Sequence, residues 1–194
     1  VNYKPMFTYR LEPEIYSLEM LHDVIAEAAK NDIKNYPIHI KLDTGMHRMG
    51  FIEEELPALI DLLNAHPEVE IKSAFSHLAT ADCLDMDDYT ELQLTRFERY
   101  TQYMLSHYKK PFLRHILNSA GILRFPEYHY DMARLGIGLY GVNTLPPEVE
   151  KPLAVVSTLR TVIVEIREWE AGETIGYGRH GVVERKSRIA TIPI

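Results

Sequence analysis

Several large protein classes are excluded by what this sequence has little of. Cys83 is the single cysteine in 194 residues. No internal disulfide can form, and a reducing, cytoplasmic setting is the natural expectation. The thiol itself is expected as a small buried apolar group. Basic residues are in the minority, 21 Lys and Arg against 28 Asp and Glu, for a formal net charge of -7. Phosphate-backbone binding draws on clustered cations, and no basic stripe is present, so a nucleic-acid partner is disfavoured. No run of about 18 apolar residues is available to cross a bilayer, and the first residues lack the charged-then-apolar layout of a signal peptide. Internal repeats and low-complexity tracts are missing too, which argues against solenoids and linkers.

What is present is a hydrophobic content of 46%, enough for a real core in one or two domains. Ser17 can cap a helix in which Leu18, Leu21, Ile25 and Ala28 recur at helical spacing up to Asn31. Ile38 to Leu42 reads as a short buried strand, and Glu53 to Ala65 as a helix with Leu56, Leu59, Ile60 and Leu63 on one face. The alternation repeats with a strand over Ile71 to Ser76 and a helix from Asp88. There Glu91 imitates a capping box, and Leu94, Phe97, Met104 and Leu105 form the stripe. Ile116 to Asn118 and Met132 to Arg134 are predicted as two shorter strands. Strand-then-helix units with doubly apolar strands point to a parallel sheet, either a barrel or a doubly wound one. Pro146 and Pro147 then punctuate the chain. Ala154 to Glu168 is predicted as a long β segment, with Val162, Val164 and Ile166 alternating, and Ile189 to Ile194 as a final strand.

Three stretches concentrate chemistry. KLDTGMHRMGF (41 to 51) and NSAGILRFPEYHYDMARLGIGLYG (118 to 141) set Gly, Arg and small polar residues against apolar runs, and GETIGYGR (172 to 179) leaves the Tyr177 phenol uncrowded between two glycines. Ser119, Gly136 and Ile137 follow candidate strands and offer a hydroxyl and backbone N–H groups to an anion. Taken singly, each residue has a plainer reading. A Gly after a strand is usually a turn, Arg134 a solvated or paired surface group, His77 a packed residue at a strand end, Tyr177 an aromatic in a β turn, and Lys41 a buried cation paired with Asp43. Asp82, Asp85, Asp87 and Asp88 carry no ligand spacing for a metal and read as a polar helix entry, so no metal site is expected.

Together the three stretches resemble the alanine racemases, pyridoxal-phosphate enzymes with an N-terminal (β/α)8 barrel and a C-terminal β domain. The resemblance runs through most of the chain. It favours the barrel, with residues 1 to 145 as its later half, roughly strands four to eight, and residues 146 to 194 as the beginning of the β domain. It implies pyridoxal 5'-phosphate as cofactor, with His77, Asn118, Ser119, Arg134, Gly136 and Ile137 around it and Arg134 facing the pyridine nitrogen. It implies that Arg48 reaches the cofactor's phenolic oxygen and the substrate carboxylate. Lys41 matches a lysine carbamylated in many members, and His47 stands where relatives commonly have Gly. Tyr177 matches the second catalytic base, which serves the partner subunit's active site, so a homodimer acting on alanine follows.

The family's cofactor lysine follows the first barrel strand, before the stretch matched here. The chain, starting at Val1, is therefore expected to be an internal piece, inert alone and inclined to self-associate through open strand edges. Relatives of the decarboxylase type place a carboxylate where Arg134 stands, and noncatalytic cofactor carriers are generally single barrels without the β domain. Some bacterial racemases are fused behind a Mur ligase, on which these residues are silent.

Overall fold

In the computed structural model, residues 3–145 and 153–194 are described, and the chain divides into two compact units, Val1–Val155 and Val156–Ile194. Pro146 and Pro147 lie outside the described residues.

The first unit opens with a short helix α1 (Lys4–Thr8) and a two-residue strand β1 (Glu14–Ile15). Then come helix α2 (Leu18–Lys30), strand β2 (Tyr36–Lys41), helix α3 (Leu56–Ala65), strand β3 (Val69–Phe75), helix α4 (Asp87–His107), strand β4 (Leu113–His115) and helix α5 (Ser119–Arg124). The four strands form one parallel sheet in the order β1-β2-β3-β4. Sequential order without reversal is what an arc of barrel makes, whereas a doubly wound sheet reverses at a switch point. This decides the alternative that periodicity left open.

The predicted periodicities explain the packing. The Ser17 hydroxyl accepts from the Met20 N–H at 3.2 Å and caps α2, whose Leu21, Val24, Ile25 and Ala28 are buried. Leu56, Leu59, Ile60 and Leu63 of α3 and Leu94, Phe97 and Met104 of α4 close over the same face of the sheet, where Ile38, Ile40, Ile71 and Ala74 project. The other face carries His39, Lys41, Ser73, Phe75 and His115. A register shift between Ile38 and His39 sets its pattern, pairing Ile38 with Ile71 but His39 with Ser73. A bulge of this kind re-aims side chains, here without breaking the ladder.

Other expectations are corrected. Residues 116–118 and 132–134 are not ladder strands. They are joined by Arg134 N–H to Leu117 O (3.0 Å), with Asp131 N–H to Arg114 O (3.2 Å) just ahead of them, too few bonds for a strand. Helix α4 begins at Asp87 rather than Asp88 and has no side-chain cap. A 3-10 turn, Leu84–Met86, feeds directly into it, and the Asp87 carboxylate is engaged by Arg124 at 2.5 Å. Leu105 is exposed, and so is Cys83, which lies in the loop before α4 instead of the core.

The second unit contains β5 (Glu165–Trp169), β6 (Thr174–Ile175), β7 (Gly181–Val182) and β8 (Ser187–Thr191), paired antiparallel as β5 with β8 and β6 with β7. The long β segment expected from Ala154 is regular only from Glu165, because its one partner, β8, spans five residues. Val162, Val164 and Ile166 are accordingly exposed. The final strand ends at Thr191, with residues 192–194 outside it.

Two substitutions test this account. Ser17→Ala should lower stability by about 1 kcal/mol through the lost cap. Leu59→Ala should cost roughly 2–5 kcal/mol through its cavity. Urea denaturation midpoints at unchanged m-value check both.

Candidate functional site

All the first-unit candidates gather at the C-terminal ends of the parallel strands. Two adjoining clefts lie there. One, about 430 Å³, is lined by residues that include His77, Asn118, Ser119, Arg134, Gly136 and Ile137. The other, about 210 Å³, is lined by Glu14, Lys41, Met46, Arg48, Met49, Phe75 and His77.

Arg134 is held from several directions. One terminal nitrogen donates to His115 Nδ1, and the other to Ser76 O (2.6 Å) and Ile116 O (3.2 Å), with His77 Nδ1 at 3.3 Å. Its guanidinium also lies 5.2 Å from the centre of the Phe75 ring, which in turn stacks on His115 at 4.9 Å. All these bonds leave from the terminal nitrogens, so none of them uses the Nε–H. Among the described residues Arg134 has no ion pair. Burial lowers its pKa and the negative field of Glu14 opposes the shift. An arginine stays protonated through such a change.

The same charges act on the histidines. His77 is pushed down to about 4 by burial first and then by Arg134, Lys41 and Arg48. His115 is pushed to about 4 by burial, with Arg134 and His39 adding. Both are neutral near pH 7, which suits them to accept from Arg134.

Lys41 presents the opposite case, a buried cation with nothing to hold it. It is 6% exposed and its ammonium has no hydrogen-bond partner. Phe75 lies under it, 5.4 Å from the ring centre. Burial lowers its pKa, opposed by Glu14. The expected pair with Asp43 does not form, because that carboxylate is taken up inside its own loop. It accepts from Gly45 N and His47 N, each at 3.0 Å, and meets His47 Nδ1 at 3.2 Å. Burial raises the Asp43 pKa, but these donors outweigh it and hold the carboxyl below its ordinary value.

The loop shape follows from those bonds. Gly50, at φ +121, would place a Cβ 2.8 Å from Asp43 N, so only glycine lets the loop close on itself. His47 sits at φ 54, a left-handed conformation that glycine adopts freely and other residues at a cost. Its ring contact with Asp43 offsets that cost. Arg48, next in the chain, is exposed at the mouth of the smaller cleft.

Across the larger cleft, Asn118 caps α5, its Oδ1 accepting from Gly121 N at 2.9 Å while its amide donates to Leu78 O at 3.3 Å. Ser119 Oγ accepts from Gly136 N at 3.0 Å and Gly138 N at 3.1 Å. The Gly136 N–H, expected to be offered to an anion, is thus spent on Ser119, while the serine proton remains to be donated. Ile137 is exposed at the cleft edge.

Tyr177 belongs to the second unit. It is fully exposed within a 3-10 turn, Tyr177–Arg179, between Gly176 at φ 78 and Gly178 at φ 66. Reading the sequence missed His115, Ser73, Ser76 and Glu14. For Glu14, Ser73 and His115 the one signal was position, on neighbouring strands and on the face of Lys41 and Phe75. Ser76 lies just past β3, its hydroxyl donating to Leu42 O at 2.8 Å.

Comparison with known proteins agrees with this architecture. The family "Alanine racemase, N-terminal domain" matches residues 2–144, and "Alanine racemase, C-terminal domain" matches residues 156–194. An alanine racemase of Syntrophobacter fumaroxidans is 39% identical over 188 residues, covering 95% of this chain and 48% of the relative. The chain therefore spans about half the length of the curated relatives it matches. Among solved structures, alanine racemase from E. faecalis superposes with a TM-score of 0.79 at 31% identity, covering 100% of this chain and 53% of that one. Alanine racemase from Bartonella henselae, solved with covalently bound pyridoxal phosphate, gives 0.78 at 28% identity, over 100% of this chain and 53% of that one. With both domain families matched in order, the chain belongs to the alanine racemases.

Proposed function

We propose that this chain supplies the later barrel half and the beginning of the β domain, residues 1–145 and 146–194, of a homodimeric, pyridoxal-phosphate-dependent alanine racemase. In this reading the enzyme interconverts L- and D-alanine by a two-base mechanism in the cytoplasm and provides D-alanine for peptidoglycan. The observation that carries the reading is the Arg134 guanidinium, locked by neutral acceptors at the wall of a cleft with its Nε–H uncommitted.

The residues present suit the cofactor. The donor set is cationic and neutral at one end, with no carboxylate hydrogen-bonded to Arg134, and Ser119 keeps a hydroxyl proton for an anionic group. When bound, the cofactor supplies electron withdrawal that acidifies the α-proton of an attached amino acid. Arg134 would hold the ring nitrogen by a hydrogen bond without surrendering its proton, which would moderate that withdrawal and favour return of the α-proton over side reactions. His77 buttresses Arg134 and stays neutral, while Asn118, Ser119, Gly136 and Ile137 shape the phosphate end. Arg48 orients the substrate carboxylate through its planar fork. Lys41, an unpartnered amine with a depressed pKa, is poised for carbamylation, which would convert it into an acidic brace for Arg48. Tyr177 moves the proton on one face, and its full exposure on its own unit supports service to a partner subunit.

Three outcomes test this in the full-length gene product. Arg134→Glu should reduce kcat for alanine racemisation by roughly 10²–10³-fold, the scale of a lost preorganised donor. Tyr177→Phe should reduce both directions together by about 10²–10⁴-fold, as for loss of an acid–base group. Deuterium exchange from solvent into one enantiomer should survive, and its survival in both would sink the two-base assignment.

The third outcome concerns pH. The folded pKa values of His77 and His115 lie near 4, below the ordinary 6.5, so the unfolded chain binds the protons first. Stability is then full above about pH 6.5 and falls as pH drops towards 4. Thermal melts should show this slope, flattened in His115→Gln.

A further inference from the structure

Beneath Arg134 a line of polar side chains crosses three strands, stepping from Ser73 to His115, which pairs in register with Phe75, and of its members only His115 has a role above, as an acceptor for Arg134. Glu12 Oε2 meets His39 Nε2 at 2.8 Å, His39 Nδ1 meets Ser73 Oγ at 2.7 Å, and Ser73 Oγ meets His115 Nε2 at 3.0 Å. His115 Nδ1 then meets the Arg134 guanidinium. Ser73 is fully buried and His115 is 4% exposed. The inner face of a barrel at this depth is ordinarily filled by branched apolar side chains, and a buried polar chain is tolerated only when every member is satisfied.

Donor logic gives the line a single direction. A guanidinium can only donate, so His115 Nδ1 is an acceptor and its proton resides on Nε2. That N–H donates to Ser73, which spends its one O–H on His39 Nδ1. His39 then carries its proton on Nε2 and donates to the Glu12 carboxylate. The Glu12 carboxylate, which can only accept, asks for the same orientation from the other end, and a Ser73 hydroxyl turned towards His115 would put that ring's proton on Nδ1, a donor against the donor Arg134. The register shift that pairs His39 with Ser73 is what closes the gap between the strands. Without it, the residue opposite His39 would be Lys72.

We propose that Glu12, His39 and Ser73 are positioning residues. They fix the Nε2–H tautomer of His115 and thereby hold Arg134 in the orientation its cofactor-facing role requires. The proposal rests on the function proposed above for what Arg134 does, but the tautomer itself does not depend on it.

The test uses the full-length gene product with ¹⁵N-labelled histidine and reads the His115 tautomer by long-range ¹H–¹⁵N NMR, assigned by loss of signal in His115→Gln. The wild type should show Nε2–H. In His39→Leu the Ser73 hydroxyl loses its acceptor and competes for His115 Nε2, which sets the His115 proton on Nδ1 against Arg134, so the preference for Nε2–H should weaken and a measurable Nδ1–H population should appear. The kcat for alanine should then fall roughly 10-fold, the scale of an outer-shell partner, with KM nearly unchanged. Glu12→Gln keeps an acceptor for His39 and should retain the wild-type tautomer and rate. Should His39→Leu fail to fold, Ser73→Ala, a small change that removes the acceptor of the His115 Nε2–H, should weaken the Nε2–H preference in its place. A wild-type His115 protonated on Nδ1, or variants with an unmoved tautomer, would overturn the proposal. If the wild-type product bound pyridoxal phosphate but did not racemise alanine, the functional reading would fail while the tautomer result still judged the relay.

Discussion

The burial of Arg134 without a carboxylate partner is the constraint around which the first unit is organised. A guanidinium withdrawn from water carries a desolvation cost of several kcal/mol. Here no ion pair offsets it among the described residues. Carbonyl oxygens of Ser76, Ile116 and His115, the His115 ring and the face of Phe75 share the task. The Ser76 and Ile116 carbonyls sit just past the ends of β3 and β4, where the ladder has stopped consuming them, while His115 O, the last of β4, is shared with the Ser76 N–H at 3.3 Å. The strand ends therefore create the acceptors, and the arginine consumes them.

That arrangement propagates through charge. Arg134, Lys41 and Arg48 together discourage protonation of His77, adding to its burial, so the histidine remains an acceptor for Arg134 at neutral pH. Glu14 on β1 is the carboxylate whose field opposes the desolvation of both Lys41 and Arg134. It pairs in register with His39 and so faces the same side of the sheet. Asp43, the nearer acidic residue in sequence, is withdrawn from Lys41 by the backbone of its own loop. The smaller cleft is left with two cations, Lys41 and Arg48, against the one carboxylate of Glu14, on a protein whose net charge is negative.

Local pattern made much of this legible. Apolar spacing located α2, α3 and α4, and the apolar runs located β2 and β3 to within two residues, because helix and strand periods differ and each buries one stripe. The weaker signals misled where a competing contact intervened. Asp87, not a capping box at Asp88, opens α4, since Arg124 engages that carboxylate from 37 residues away. The run from Ala154 has strand-forming residues but pairs only where β8 lies beside it. His47 occupies a left-handed position, where glycine would be free of strain.

Motif chemistry in the sequence alone determined the family, the parallel architecture and the identity of Lys41, Arg48, His77, Asn118, Ser119, Arg134, Gly136, Ile137 and Tyr177 as candidates, because those residues are contiguous within short motifs. Only the tertiary structure decided who partners whom. It separated Lys41 from Asp43, spent the Gly136 N–H on Ser119, and brought His39, Ser73 and His115 into line behind Arg134. Strand register sets such pairings, and a one-residue shift between Ile38 and His39 changes which side chains meet while leaving every local pattern intact.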